Sequence, residues 1–315
     1  EVEIDTRQYP YIIENKRLTF VGEGWKSGLW SIMQFDPETH FVLPNTGDNL
    51  GWRPYDATEV KPGLVRLADP KREANKRFPA PGTILVLRHS TRDHAGIFIY
   101  HSTDTKLENL KLFHTCGLGI LSQYSKNIAF NDVHIIPNAA KGRVLSGHDD
   151  GFHFMGCSGL LKIENCSWAG LMDDPINIHG TFNTVTSISS DRRTITVQYN
   201  HHETAGFPNF FEGDEIEFMT KGNMITVENS VRTVTKVDGP DGMGGNMGEG
   251  SGSLTTIKLT LDKAIPADVQ VNQHVVENIT YTPAVNISNC EFKEVPTRGI
   301  LVTTRKPIVI ENNTF

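Results

Sequence analysis

The sequence has little cysteine, with four residues of this type among 315 and no Cys-x-x-Cys pair. This spacing predicts free thiols rather than a disulfide framework or a thiolate metal site. Basic residues are in the minority, since 30 Lys and Arg stand against 37 Asp and Glu, which gives a formal net charge of −7. We therefore expect no nucleic-acid partner, because phosphate binding requires a basic face.

Long apolar runs are missing as well. No stretch of the sequence approaches the roughly 20 apolar residues that a membrane-spanning helix requires, so we expect no membrane span. The sequence does not begin with a signal-peptide pattern at Glu1, and it ends within a strand-like run, Pro307 to Phe315. We expect the chain to be a central piece of a longer protein, in which case the missing targeting signals say little about location.

Helical periodicity is also hard to find. Short runs of Val, Ile, Leu, Thr and Phe are broken by Gly, Asn, Asp and Pro, which is an all-β pattern. Turn asparagines recur in similar contexts at Asn109, Asn131, Asn165, Asn289 and Asn312, the first two 22 residues apart and the last two 23. A β period of this length predicts a right-handed parallel β-helix, with the asparagines in a structural role at one corner.

The gap of 124 residues between Asn165 and Asn289 is too long for one coil. We therefore predict small antiparallel β modules that interrupt the helix. In this scheme residues 1–90 form an early β-helix edge with one such module, residues 91–182 form coils, residues 183–280 form an inserted barrel or sandwich, and residues 281–315 resume the helix.

Two Asp-Asp pairs, Asp149-Asp150 and Asp173-Asp174, are the strongest candidates for chemistry. Because Asp150 and Asp173 are one period apart, we expect them at the same lateral position on neighbouring coils, about 5 Å apart. Close carboxylates raise one another's pKa, so that one of a cluster can stay protonated near neutral pH. A carboxylic acid and a carboxylate across a scissile bond are the groups of a glycosidase, although spacing alone does not choose between retention and inversion.

The segments Gly147–His153 and Met172–Gly180 resemble those of glycoside hydrolase family 110. Members of this family are bacterial exo-acting α-1,3-galactosidases with a fold similar to that of polygalacturonases. They carry one Asp on one coil and an Asp pair on the next. The resemblance implies an inverting enzyme that removes terminal α-1,3-linked galactose from blood-group-B-type or linear α-galactosyl glycans.

Carried over residue by residue, the resemblance makes Asp173 the general acid and gives Asp150 and Asp174 the task of holding and deprotonating the attacking water. It also implies no metal or organic cofactor and an extracytoplasmic location, and it leaves room for a homo-oligomer. Further candidates could bind sugar hydroxyls, and a structural role is as plausible for most of them; they are His148, Asp149, Asn177, His179 and Arg298. Arg298 could instead temper the acidic cluster.

Tryptophans are the remaining candidates for a sugar surface. Trp168 follows a predicted corner and is expected in the core. Trp25, Trp30 and Trp52 could line the rim of the site, and the sequence does not decide between this role and others.

Three other functions stay open. The first is a polysaccharide lyase, or a polygalacturonase-like hydrolase, on the same fold; a lyase would use Ca²⁺ bound by the acidic cluster. The second is metal-assisted hydrolysis at a site built from His148, Asp149, Asp173 and His179. The third is a β-helix that binds glycans without catalysis.

Overall fold

A computed structural model describes residues 1–43, 56–68, 79–89, 94–201, 204–240 and 255–315. Within these ranges the chain is built almost wholly from β-strands and contains no α-helix, only short 3-10 turns such as Ala139–Lys141. None of the described helical turns has the length and apolar character needed to cross a membrane. The expected all-β class is thus confirmed.

The N-terminal part forms small antiparallel sheets, ordered β1-β7-β6, β2-β3-β4 and β5-β8. A core of buried apolar side chains that includes Leu18, Ile32 and Val65 joins them. The strands are β1 (Val2–Glu3), β2 (Tyr11–Glu14), β3 (Arg17–Gly22), β4 (Trp25–Gly28), β5 (Ser31–Phe35), β6 (Asp56–Lys61), β7 (Leu64–Ala68) and β8 (Ile84–Arg88).

A parallel sheet of short strands follows, in the spatial order β25-β16-β13-β11-β9. Side chains alternate along these strands, so that Phe152, Phe154, Ile176 and Ile178 face the core while the residues between them face outward. The strands are β9 (Ile97–Tyr100), β11 (Ile120–Gln123), β13 (Phe152–Met155), β16 (Ile176–His179) and β25 (Ile300–Val302).

A second parallel sheet packs against the same core, which Phe130 and Trp168 fill from this side. Its spatial order is β24-β15-β12-β14-β23-β26, and β10 pairs with β12. The expected core position of Trp168 is confirmed, since its side chain is 1 % exposed and lies between Phe152 and Phe292. The strands are β10 (Thr103–Leu112), β12 (Lys126–Ile135), β14 (Ser158–Glu164), β15 (Ser167–Ala169), β23 (Ala284–Ser288), β24 (Glu291–Lys293) and β26 (Ile308–Glu311).

The predicted asparagine corner is visible in the backbone of this second sheet. Asn109, Asn165, Asn289 and Asn312 all have φ between 52° and 56°, the left-handed region in which asparagine is favoured. In the strand pair that contains Asn131, the corner position is taken by Asp132, with φ of 57°, and Asn131 lies one residue before that corner. The Asn131 side chain still accepts a hydrogen bond of 2.7 Å from Asn165.

Between β16 and β23 the chain forms a closed antiparallel barrel in the order β17-β18-β21-β20-β19-β22. Its interior is a separate apolar cluster that includes Val197, Phe218 and Leu259. The strands are β17 (Phe182–Ile188), β18 (Thr194–Tyr199), β19 (Glu215–Thr220), β20 (Arg232–Asp238), β21 (Thr256–Leu261) and β22 (His274–Asn278). After the barrel, β25 pairs directly with β16, and the residues ahead of β25 are thereby placed beside those ahead of β16.

Candidate active site

The two Asp-Asp pairs lie in bends that lead into adjacent strands, β13 and β16. Phe152 pairs with Ile176 and Gly147 bridges Leu171, so the interval between these rungs is 24 residues on both sides of the bends. Asp150 therefore lies level with Asp174, and the expectation that it lies level with Asp173 was wrong by one residue. The two bends have equal lengths, and the residue that makes the interval 24 is added at the start of β14, where the register against β12 shifts between Lys126 and Ile128. Strand alternation does not apply within the bend at 172–175, so neighbouring Asp173 and Asp174 can face one site.

Gly151 explains how the Asp150 bend packs so closely on the core. A Cβ atom at this position would lie 2.5 Å from the Trp168 ring and 2.6 Å from the Pro175 carbonyl oxygen. Only glycine leaves room for both neighbours, because contacts this short are not tolerated. The Gly151 amide in turn donates 2.9 Å to the Asp174 carbonyl, which fixes the two bends against each other.

The structure brings together the carboxylates of Asp150, Asp173 and Asp174, each with one oxygen within 4.8 Å of an oxygen of the other two. Asp150 and Asp174 are buried, whereas the side chain of Asp173 is 28 % exposed. The Asp174 amide donates to Asp150 Oδ1 at 3.2 Å and to Asp173 Oδ1 at 3.1 Å, so one backbone group ties the other two carboxylates together.

Arg298 is the cationic partner of Asp174. Its Nε lies 2.9 Å from Asp174 Oδ1 and its Nη2 lies 2.9 Å from Oδ2, a forked contact that suits a guanidinium. The Arg298 amide and the Thr297 hydroxyl also donate to Oδ1, at 3.2 and 3.0 Å. The hydrogen bond and charge of Asp174 raise the pKa of Arg298. Asp173 is farther away, with its Oδ1 3.8 Å from Nη2.

Asp150 is held from the outward face of the parallel sheet. Asn177 Nδ2 donates to its Oδ2 at 3.1 Å, and His153 Nδ1 lies 2.7 Å from the same oxygen. His179, a predicted sugar ligand, has its Nε2 2.9 Å from His153 Nε2 and reaches Asp150 through that ring. Burial, and then the neighbouring His153, lower the pKa of His179.

His148 and Asp149 are not part of this cluster and pair with each other, with Nδ1 3.2 Å from Oδ2. His148 Nε2 lies 3.5 Å from Arg88 Nη2, and the Arg88 guanidinium lies 4.6 Å from the centre of the Trp30 ring. Trp30 thus contacts residues near the site, whereas Trp25 stacks on His89. Trp52 lies outside the described residues.

A cavity of about 380 Å³ adjoins this second group. His148 and Met172, from the two Asp-bearing bends, form part of its wall, together with Arg88, His89 and His114. The lining is mostly apolar with a few histidine and arginine side chains, which is a usual composition for a small-ligand pocket, and it includes none of the three clustered carboxylates.

Sequence reasoning missed His153 and Thr297 as residues of the site. His153 stands on an alternating strand, where a polar outward residue resembles an ordinary solvent-facing one. The signal that could have found it is the 24-residue interval, which aligns His153 with Asn177 and Met155 with His179. Thr297 is separated from Asp174 by the whole barrel and becomes its neighbour only because β25 pairs with β16.

Three clustered carboxylates, with Arg298 and His153 beside them, lie on the bends of stacked parallel strands, an arrangement that can carry general acid–base chemistry. Comparison with known sequences identifies the family to which the chain belongs. Residues 1–85 match the family described as GLAA-B beta-barrel domain I, and residues 194–241 match GLAA-B beta-barrel domain II.

Relatives cover almost the whole chain. It is 62 % identical over 319 residues to alpha-1,3-galactosidase B of Bacteroides thetaiotaomicron, an alignment with 100 % of this chain and 49 % of the relative. It is 40 % identical to alpha-1,3-galactosidase A of Streptomyces avermitilis (97 % and 49 %) and 35 % identical to alpha-1,3-galactosidase A of Bacteroides fragilis (99 % and 48 %). The chain spans about half the length of these curated relatives. It belongs to their family, and the predicted membership of glycoside hydrolase family 110 is consistent with their names.

Proposed function

We propose that the protein to which this chain belongs is an exo-acting glycoside hydrolase that removes terminal α-1,3-linked galactose from glycans. The observation that carries the proposal is the trio Asp150, Asp173 and Asp174, within 4.8 Å of one another in a chain 62 % identical to an alpha-1,3-galactosidase. Because hydrolysis of a glycosidic bond needs one proton donor and one proton acceptor, a cluster in which protons are unevenly shared supplies both.

The charges around the trio support Asp173 as the general acid. Asp174 has a forked contact with Arg298, and Asp150 has His153 at 2.7 Å, whereas the contact between Arg298 Nη2 and Asp173 Oδ1 is longer, at 3.8 Å. The partial exposure of Asp173 leaves it accessible to a leaving oxygen, and the family resemblance assigns it the role of proton donor. Asp150 and Asp174 then serve as the acceptors that hold and deprotonate water.

In the proposed step, the Asp173 carboxyl proton passes to the glycosidic oxygen as the bond from that oxygen to the anomeric carbon breaks. The water oxygen bonds to the anomeric carbon, and its proton passes to the carboxylate pair. We infer inversion from the family resemblance. One oxygen of each carboxylate lies within 4.8 Å of an oxygen of the other two, and this distance does not choose between inversion and retention. In the proposed arrangement Asp150 and Asp174 hold the water side by side.

The cavity beside His148 is the proposed site for the terminal galactose. Its volume of about 380 Å³ lies within the usual range of about 300–1,000 Å³ for small-ligand pockets. Imidazole and guanidinium groups from His148, His114 and Arg88 offer donors for sugar hydroxyls. Exo cleavage is inferred from the family resemblance.

The finer architecture is also inferred. The two parallel sheets share one core, and the chain alternates between them from β9 to β16. This supports a right-handed parallel β-helix, because crossovers between parallel strands are right-handed in most proteins. In this division residues 91–182 and 281–315 are coils, residues 183–280 are an inserted barrel, and residues 1–90 are an N-terminal module at the helix edge. An extracytoplasmic location fits a substrate at the end of a glycan, with a homo-oligomer still open.

A lyase or a metal-assisted hydrolase would require a different use of the acidic group. His148 and Asp149 pair with each other and stand apart from the trio, so the four residues of the suggested metal site are not gathered around one point. Asp174 is engaged by Arg298, which competes with a cation for its oxygens. Hydrolysis by carboxylates with protein cations as partners is the better supported function.

The test is hydrolysis of galactose-α-1,3-galactose by the full-length protein, followed by chromatography of released galactose, with the α-1,4 and α-1,6 isomers in parallel. We expect release from the α-1,3 disaccharide and little from its isomers. Asp173→Asn should abolish most of the release, whereas Asp191→Asn, a change in the exposed turn between β17 and β18, should not. No release from the α-1,3 substrate, or wild-type release by Asp173→Asn, would refute the assignment.

A further inference from the structure

A chain of ring nitrogens leads outward from Asp150. His179 Nδ1 lies 2.7 Å from the Gly180 carbonyl oxygen, His179 Nε2 lies 2.9 Å from His153 Nε2, and His153 Nδ1 lies 2.7 Å from Asp150 Oδ2. The two imidazole planes are nearly perpendicular, at 85°, so their contact is an in-line one between nitrogens and not ring stacking. We name the chain Asp150–His153–His179 the histidine relay.

Each contact in the histidine relay contains one proton. The Gly180 carbonyl only accepts, so His179 Nδ1 must carry a hydrogen. The two Nε2 atoms need one hydrogen between them, and a third lies between His153 Nδ1 and Asp150 Oδ2. Two neutral imidazoles supply only two hydrogens. The relay therefore holds one proton more than two neutral rings, either as an imidazolium beside a carboxylate or as a carboxylic acid beside an imidazole.

The environment decides where that proton is. Burial lowers the pKa of His179, which keeps this ring neutral. A neutral His179 with its hydrogen on Nδ1 presents a lone pair at Nε2, and His153 must then donate its Nε2 hydrogen to it. Asn177 Nδ2 donates to Asp150 Oδ2 at 3.1 Å, which stabilises the carboxylate form of Asp150. The extra charge thus falls on His153.

We propose that His153 is a positioning residue for the hydrolysis: its imidazolium, oriented by neutral His179, is the dedicated cation of Asp150. The role of His153 in hydrolysis rests on the proposed function, whereas the histidine relay is present in the fold whatever the reaction.

This pairing gives the carboxylate trio a balanced charge. Asp150 is matched by His153 and Asp174 by Arg298, so both can stay ionised as proton acceptors, and the proposed function assigns the transferred proton to Asp173. Without a cation at residue 153, the proton of the trio would be shared between Asp173 and Asp150. The base that accepts the water proton would then be lost in part of the molecules. The imidazolium keeps its own proton throughout the reaction, and only the water proton moves to the carboxylate pair.

His153→Asn and His153→Phe separate charge from hydrogen bonding. The Asn amide can still donate toward Asp150 but carries no charge, whereas Phe keeps the ring volume and loses both nitrogens. We expect kcat to fall about 10- to 100-fold in both variants, the rate equivalent of one charge-assisted hydrogen bond, with KM little changed. Restoration of wild-type kcat by Asn would overturn the cationic role.

Two substrates distinguish a defect in the general base from a defect in the general acid. On α-galactosyl fluoride, whose leaving group needs no proton, Asp173→Asn should regain most of its rate while His153→Asn keeps its deficit. A His153→Asn deficit that disappears on the fluoride would overturn the proposal, since the residue would then act through the acid.

Nitrogen-15 NMR of histidine-labelled protein tests the relay without any turnover. At neutral pH we expect His179 in the form with hydrogen on Nδ1 and His153 protonated on both nitrogens, with a Nδ1 proton far downfield that vanishes in Asp150→Asn. A wild-type protein with this spectrum but no galactosidase activity would refute the proposed function and keep the relay. A neutral His153 without the downfield proton would refute the relay.

Discussion

The forked contact between Arg298 and Asp174 leads to the most detailed prediction. Arg298→Lys keeps a positive charge but replaces the hydrogen bond and the second ion-pair contact of the guanidinium with a single point contact. Arg298→Met keeps the length of the side chain and removes both. Asp174 is fully buried and still accepts from the Arg298 amide and the Thr297 hydroxyl, so we expect the fold to survive both changes.

The magnitude follows from the Nε hydrogen bond to Oδ1 and the Nη2 ion-pair contact with Oδ2, each of 2.9 Å. A hydrogen bond to a charged group contributes about 1.5–3 kcal/mol, and the lower value applies here because the Arg298 side chain is 61 % exposed and screened by water. Loss of one bond then corresponds to about 1.5 kcal/mol, or about tenfold in kcat/KM, and loss of both to about 100-fold.

The assay is kcat/KM on galactose-α-1,3-galactose for the two variants, with Arg305→Met as the matched control. Arg305 makes a comparable fork, to Glu277 and Glu217 of the barrel, and touches none of the three catalytic candidates. Its loss should lower the thermal midpoint without lowering kcat/KM. Wild-type kcat/KM in Arg298→Met, or an equal loss in Arg305→Met, would refute the reasoning.

Three other predictions follow from packing, protonation and ion binding. Trp168→Ala should lower the free energy of unfolding by about 3–5 kcal/mol in urea denaturation, because the ring fills the core between Phe152 and Phe292; a loss below about 1 kcal/mol would contradict this position. Burial is the main cause that lowers the pKa of His114, so its contribution to stability is complete above about pH 6.5 and is lost as pH falls through its folded pKa. The thermal midpoint of His114→Asn should therefore fall less on acidification than that of the wild type, and parallel curves would exclude the effect. Chelation by EDTA should leave galactose release unchanged, whereas inhibition reversed by Ca²⁺ would favour the lyase function.

Much of the site could be predicted because its residues are local in sequence. The Asp-Asp pairs lie just ahead of apolar alternating strands, and a repeat of 22 to 24 residues places neighbouring rungs together. The same repeat could not give the register at the bends, since one added residue at the start of β14 makes the interval 24 and places Asp174, not Asp173, level with Asp150. A β-bulge produces such a shift, and the sequence pattern does not report it.

Local sequence patterns could not predict the contacts between segments that the barrel separates in the chain. Arg298 was suspected because the rung after the insertion should return beside β16, but its fork to Asp174 depends on side-chain geometry. The histidine relay is a case of the same kind: His153 and His179 are 26 residues apart and lie in different columns of the sheet, so they meet only through a diagonal contact. Periodicity shows that both side chains face outward, but it does not give the distance between them.

The stereochemistry of the first product tests the central claim most directly. Proton NMR of galactose-α-1,3-galactose with excess full-length protein should show β-galactose at the first time points, before mutarotation produces the α anomer. That result is expected if Asp150 and Asp174 direct a water molecule at the anomeric carbon while Asp173 protonates the leaving oxygen. Initial α-galactose would mean a covalent intermediate on one of the carboxylates, and it would contradict the account.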